Sequence, residues 1–290
     1  MPDRFERRRV TVLLACMLGA IVTCSADTIY VDGSDANLYT IDPLTGATTL
    51  VGSMGTVMTD IAEYKGSMFG VSFPSSGPVS LYSVNPETGA STLIGSTGVY
   101  INALEFGTDG TLFGAGGAPG CGPSSTNPTP CDSLYELNVS TGAATLVGSG
   151  VYNSSGDLAF DGASLYLTSS LNSSTDQLFS VDATNGSGSL VGNIGFAEVF
   201  GLAFDASTST LYGFNDVGNN VIGINPTTGL GTSVATYSSN FEIYGATTDT
   251  VPEPRGVELF LGGLLAALTL LKRLRIVTLD RAQPPSDNIS

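Results

Sequence analysis

LYTIDPLTGATTLVGSMG, residues 38–55, decides how this 290-residue chain is read, because copies of it follow at regular intervals. They are LYSVNPETGASTLIGSTG (81–98), LYELNVSTGAATLVGSG (134–150), LFSVDATNGSGSLVGNIG (178–195) and the more diverged VIGINPTTGLGTSVAT (221–236). Their starts lie 43, 53, 44 and 43 residues apart. Each copy reads as a hairpin of two alternating strands. In the first, Pro43 presets φ for the turn and Gly46 closes it where φ can turn positive.

A second unit recurs between these hairpins: DIAEYKGSMFGV (60–71), ALEFGTDGTLFGAG (103–116), DLAFDGASLYLTSS (157–170) and GLAFDASTSTLYGFN (201–215). Each is an apolar strand, a Gly/Asp turn and an outgoing strand carrying Tyr or Phe. Two hairpins per ~44 residues make four strands, the size of one propeller blade. Residues 28–51 hold only three strands, while Phe241-Glu242-Ile243-Tyr244 is a lone strand after the last hairpin. Placing that strand innermost in the first blade completes twenty strands and closes the ring, which removes open sheet edges. The expected fold is an all-β, five-bladed β-propeller over 27–250 whose closing strand lies near 241–244. An open β-solenoid would leave the lone strand unexplained. The recurring Tyr39, Tyr82, Tyr135 and Phe179, with Phe69, Phe113, Tyr166 and Tyr212, occupy equivalent blade positions and are expected between blades.

These repeats resemble the broad superfamily of secreted propellers whose blades carry an LYxID-type strand followed by a TG turn. That resemblance implies the fold; members serve as enzymes, lectins and scaffolds alike.

Charge narrows the function. Between residues 27 and 254 Lys65 is the only basic residue, against 21 Asp and Glu. Nucleic acid is excluded as a partner, since phosphate backbones demand several Lys or Arg contacts. The chain has no His, hence neither Ser-His-Asp or Cys-His catalysis nor His-ligated metal. Chemistry within the repeats would have to run on carboxylates, Tyr or a bound ion.

The ends read as addresses. Residues 1–26 have the form of a secretory signal peptide: basic Arg7-Arg8-Arg9, an apolar run from Val10 to Val22, and small residues Cys24-Ser25-Ala26 before the cut. Near the other end, Val251-Pro252-Glu253-Pro254 precedes an apolar segment, Gly256 to Leu271, and then the basic stop Lys272, Arg273 and Arg275. This order, over 251–275, resembles the PEP-CTERM sorting signal. The resemblance implies an exosortase-type sorting enzyme as partner, a C-terminal helix held in the inner membrane before processing, and export to a Gram-negative envelope or extracellular matrix. The apolar segment is short for a span, and a polar tail, 276–290, follows where the family usually stops. The basic cluster would stay cytoplasmic, placing 27–250 outside.

Four residues are candidates to line the axial channel, each expected to lead an innermost strand: Asp60, Asn102, Asp157 and, in the closing strand, Glu242. Such a ring of oxygens could hold Ca²⁺, which takes six to eight of them; no other cofactor is expected. Asp32-Gly33-Ser34-Asp35-Ala36-Asn37 reads as a hairpin turn. Cys121 and Cys131 lie within a Gly/Pro-rich insertion, GGAPGCGPSSTNPTPC, and are expected to pair as a disulfide in an oxidising compartment. The leading expectation is an exported, non-catalytic propeller that binds polysaccharide or a surface protein. The alternative is a carboxylate-only glycoside hydrolase or lyase at the channel mouth, using Asp60, Asp157 and Glu242.

Overall fold

A computed structural model describes residues 28–73, 79–116, 132–172, 174–238 and 240–249. All lie within one compact unit, Ser25–Val251. The expected signal peptide (1–26), the expected pairing of Cys121 with Cys131, the sorting motif read at Val251, Pro252, Glu253, Pro254 and the expected stop at Lys272, Arg273, Arg275 fall outside the described residues.

The described residues form five four-stranded antiparallel sheets. Blade 1 holds β1 (Ile29–Gly33), β2 (Asn37–Ile41) and β3 (Thr48–Ser53), closed by β20 (Ile243–Thr248). Blade 2 is β4 (Met58–Tyr64), β5 (Ser67–Ser72), β6 (Ser80–Val84) and β7 (Ser91–Ser96). Blade 3 is β8 (Ala103–Phe106), β9 (Leu112–Gly116), β10 (Ser133–Leu137) and β11 (Ala144–Ser149). Blade 4 is β12 (Ser154–Phe160), β13 (Leu165–Ser169), β14 (Gln177–Val181) and β15 (Gly188–Asn193). Blade 5 is β16 (Val199–Asp205), β17 (Thr210–Asn215), β18 (Asn220–Ile224) and β19 (Gly231–Thr236). The fold is an all-β, five-bladed β-propeller, and β20 pairs with β1 as the closing strand. That strand starts two residues later than the sequence reading placed it, at Ile243 instead of Phe241.

The core is divided among the seams. Five apolar clusters each join two neighbouring blades: one packs Leu38 and Met54 of the blade 1 side against Met58, Ile61 and Met68 of blade 2. The closing seam packs Ile29 and Val31 against Tyr212, Phe214 and Val221 of blade 5. The recurring aromatics sit in these seams; Tyr135, Phe179, Phe113, Tyr166 and Tyr212 are buried, while Tyr39, Tyr82 and Phe69 pack partly buried at their margins.

The repeat signature works as a lock between blades. The glycine of each VGS-type segment lies against the TG turn of the next blade, so that a Cβ on Gly52, Gly95, Gly148 or Gly192 would overlap the carbonyl oxygen of Thr88, Thr141, Asn185 or Thr228. At the closing seam Ala235 takes the glycine's place in β19, and it is Gly46 that lies against the Thr236 carbonyl. Backbone thus meets backbone at every seam, with no room for a side chain.

Candidate functional site

In a propeller the inner edge of each sheet faces the axis, and its N–H groups need partners other than a neighbouring strand. Two carboxyls supply them. Asp60 accepts from its neighbour's amide, Ile61 N–H (2.6 Å), and from Leu104 N–H of the adjoining blade 3 (2.5 Å). Asp157 accepts from Leu158 N–H (2.6 Å), Leu202 N–H of blade 5 (2.5 Å) and Ala246 N–H of blade 1 (2.9 Å). Every blade therefore delivers one amide to the pair, and the two carboxyls also hydrogen-bond each other.

The local sequence makes room for this. In the order of blades 2, 3, 4, 5 and 1 the axial position holds Asp60, Ala103, Asp157, Gly201 and Gly245, so the two acids alternate with small residues. Pairing with the second strand is irregular beside Asp60, Asp157 and Gly201, and such bulges re-aim side chains. A Cβ on Gly245 would overlap carboxyl oxygens of both Asp60 and Asp32.

One layer further along the strands the plug continues. Glu105 accepts from Phe106 N–H (2.6 Å) and also from Phe160 N–H of blade 4. Thr247 Oγ1 accepts from Glu63 N–H (3.0 Å). The equivalent positions in the remaining blades are Ala62, Ala159 and Ala203.

Asp60, Asp157 and Asp32 are wholly buried. Burial, with Asp157 alongside, holds Asp60 well above the usual carboxylate range. Burial raises Asp157 too, opposed by hydrogen bonds from Asp60, Leu202 and Ala246. Three amides point at Asp157 and two at Asp60, so negative charge rests on Asp157 and the shared proton on Asp60. Asp32, whose carboxyl oxygens make no hydrogen bond of good geometry, is pushed by burial up to about 8.

The four sequence candidates are therefore separated. Asp60 and Asp157 meet on the axis. Asn102 stands one residue before the axial position of its blade, which is Ala103, and its Nδ2 donates to Ser154 O (3.2 Å). Glu242 is exposed, three residues short of the position in β20 that Gly245 fills, and accepts from Tyr244 Oη (2.8 Å). Among the described residues no three Cys, Asp or Glu are arranged to hold a metal. Ca²⁺ wants six to eight oxygens, whereas the axial oxygens already accept N–H groups. A glycosidase needs two carboxyls about 5 Å apart or more, on either side of a sugar bond; two buried carboxyls hydrogen-bonded to each other do not provide that.

The mouth of the channel lies where the innermost strands begin. Tyr244 stands one residue before Gly245 and Phe200 one before Gly201. Tyr244 faces Phe73 at 5.8 Å between ring centroids and Phe200 edge-on at 6.2 Å, forming an aromatic arc across blades 5, 1 and 2. Phe73 is 50% exposed. Around the arc stand Glu242, Glu198 and Asp216, the last pushed up to about 7 by burial and by the two glutamates. Phe200 and Tyr244 share one blade-equivalent position, but the other blades fill it with Thr59, Asn102 and Gly156, and Phe73 lies in a connection, so sequence periodicity missed all three.

Neither a protein-family model nor a curated protein matches the sequence. Solved structures do. A chain from the nidogen/laminin complex is 10% identical, covering 78% of this chain and 99% of that one, at a TM-score of 0.52. A protein described under "the de novo evolutionary emergence of a symmetrical protein is shaped by folding constraints" is 17% identical over 77% of this chain and 98% of its own, at 0.50. At these identities the likeness is one of fold.

Proposed function

We propose that this chain is an exported, non-catalytic binding propeller that engages its partner through the face bearing the channel mouth. The observation that carries this reading is the saturation of the axial carboxyls. Asp60 and Asp157 between them accept one amide from each blade and share one proton, and they are closed to solvent. They act as a clasp, which removes the acid–base pair a carboxylate-only hydrolase would need. What remains exposed at the same end is a binding surface of aromatic rings and uncompensated acid.

Export rests on the signal-peptide pattern at 1–26, and residence in an envelope or matrix on the PEP-CTERM-like order of 251–275. Under this reading an exosortase-type enzyme handles the C-terminal segment, with Lys272, Arg273 and Arg275 as the membrane stop. A Cys121–Cys131 disulfide would then stiffen the insertion in the sequence between β9 and β10. A protein of the envelope or matrix is favoured over a polysaccharide. Sugar platforms rely on Trp, which this chain lacks, and the strongly acidic surface selects for a basic partner.

The test incubates the full-length protein with its native extracellular matrix and follows co-sedimentation and released reducing sugar together. Retention without product is expected. Product formation abolished by Asp60→Asn would overturn the reading, as would no retention at all.

A further inference from the structure

The rings at the channel mouth, Phe73 exposed and Tyr244 and Phe200 half-buried, sit in a charge environment of one sign. Tyr244 occupies the centre, held by its hydroxyl, which donates to Glu242 (2.8 Å), with Phe73 on one side and Phe200 on the other. Glu242 and Asp216 both act electrostatically on Tyr244, and Glu198 and Glu242 act on Asp216. The Asp216 backbone N–H donates to Glu198 O (3.0 Å), which ties two of the acids to adjoining loops. The only basic residue between 27 and 254, Lys65, is in the turn joining β4 to β5, at the opposite end of the strands. There it lies 4.6 Å over the Tyr64 ring. The mouth thus combines the aromatic faces and the carboxylates that bind cations and has no cation of its own within the propeller.

We infer that the channel mouth is a docking site for a basic segment of a protein partner, with a Lys or Arg head group seated against Tyr244, Phe73 and Phe200 and neutralised by Glu242 and Asp216. This rests on the binding-propeller reading above and names its partner's chemistry. Charge complementarity commits the site to this occupant: the rings attract a cation through their faces, and the adjacent carboxylates supply the charge-assisted hydrogen bonds. An uncharged sugar would leave the acidic groups around the rings uncompensated.

Hexalysine is the probe, titrated calorimetrically into the full-length protein at about 150 mM salt, where diffuse surface attraction is largely screened. Wild type is expected to show one saturable site. Tyr244→Ser combined with Phe73→Ser changes no charge, yet is expected to weaken binding at least about tenfold. If that pair impairs folding, as judged by thermal melting, Phe73→Ser alone serves, since its ring is half exposed, with an expected loss of about threefold. Glu242→Gln should weaken binding by a similar factor, whereas Glu87→Gln, in a turn on the opposite face, should change it less than twofold. Equal binding by the aromatic variants and wild type would overturn the inference, as would equal effects of Glu242→Gln and Glu87→Gln, because either outcome means diffuse electrostatics only. Matrix retention separates the two readings. Wild-type retention that the aromatic variants keep overturns the mouth inference alone; absence of wild-type retention overturns the binding reading itself.

Discussion

Asp60 and Asp157 are chemically identical yet do unequal work. Asp157 receives amides from three blades and holds the charge, while Asp60 receives two and holds the proton. Asn can imitate a protonated carboxyl, since its amide donates where the acid proton did, but in place of the carboxylate it would turn an NH₂ toward amide donors. Asp60→Asn is therefore expected to cost less stability than Asp157→Asn, and Asp157→Ala at least about 2 kcal/mol, given ~1–3 kcal/mol for each buried N–H left unpaired. Urea denaturation of the three variants checks the order; equal costs for the two Asn variants would refute the proton assignment. How much of this was legible in the sequence follows from what repeats. Asp60 and Asp157 lead apolar inner strands and stand out, but the small residues that complete the ring, Ala103, Gly201 and Gly245, carry no chemical signal. Glu242 was drawn into the ring because nothing in Ser239-Asn240-Phe241-Glu242-Ile243 marks where β20 begins. Asp32 was hidden in an apparent turn, although its carboxyl is buried near the axis.

At the scale of the strand and turn, the repeat was readable because each of its letters has a mechanical task. The TG turn supplies a glycine at positive φ (Gly46 at 71°, Gly89 at 74°), and the VGS glycine lets the next blade's turn touch bare backbone. Strand count and blade boundaries follow from that lock. Gly148 is its most direct test, because a Cβ there would overlap the Asn185 carbonyl, and the backbone at neither residue is free to retreat without opening the seam. Gly148→Ala is expected to destabilise by about 3 kcal/mol or more, at the upper end of overpacking costs. Gly223→Ala, whose Cβ would meet a Val234 methyl at 3.3 Å and come no nearer than 4.0 Å to backbone, at Thr232 O, should cost less than about 1 kcal/mol. Chemical denaturation of both variants distinguishes them, and similar values would mean that the glycine–turn contact is not what spaces the blades. What the repeat could not disclose is the mouth. Phe73, Phe200 and Tyr244 lie in connections and at strand starts where the copies differ, and that is where a repeat protein places individuality.

For the whole molecule, the burial of carboxyls has a thermodynamic consequence. Burial pushes Asp32 to about 8, Asp176 to about 6 and, with help from neighbouring glutamates, Asp216 to about 7, and it raises Asp60 well above its ordinary value. These groups bind protons in the folded chain that the unfolded chain has already released above pH ~4. Because the folded state then holds more protons, unfolding free energy falls as pH rises from about 4 through about 8. Asp42, Asp109 and Asp182, which local hydrogen bonds lower, act in the opposite sense only below about pH 4. The melting temperature is expected to be on the order of 10 °C higher at pH 5 than at pH 8, reversing the usual acid lability; a flat or rising profile over that interval would show that the buried acids do not hold protons. The central claim is that two carboxyls gather one inner-edge amide from each of five blades and so close the ring. Hydrogen exchange at single-residue resolution reads it directly at Ile61, Leu104, Leu158, Leu202 and Ala246. All five amides should exchange as slowly as the paired core strands, and in Asp157→Ala the last three should quicken while Ile61 and Leu104 stay slower. Fast exchange of these amides in the native protein, or a variant that leaves Leu202 and Ala246 protected, would contradict the account.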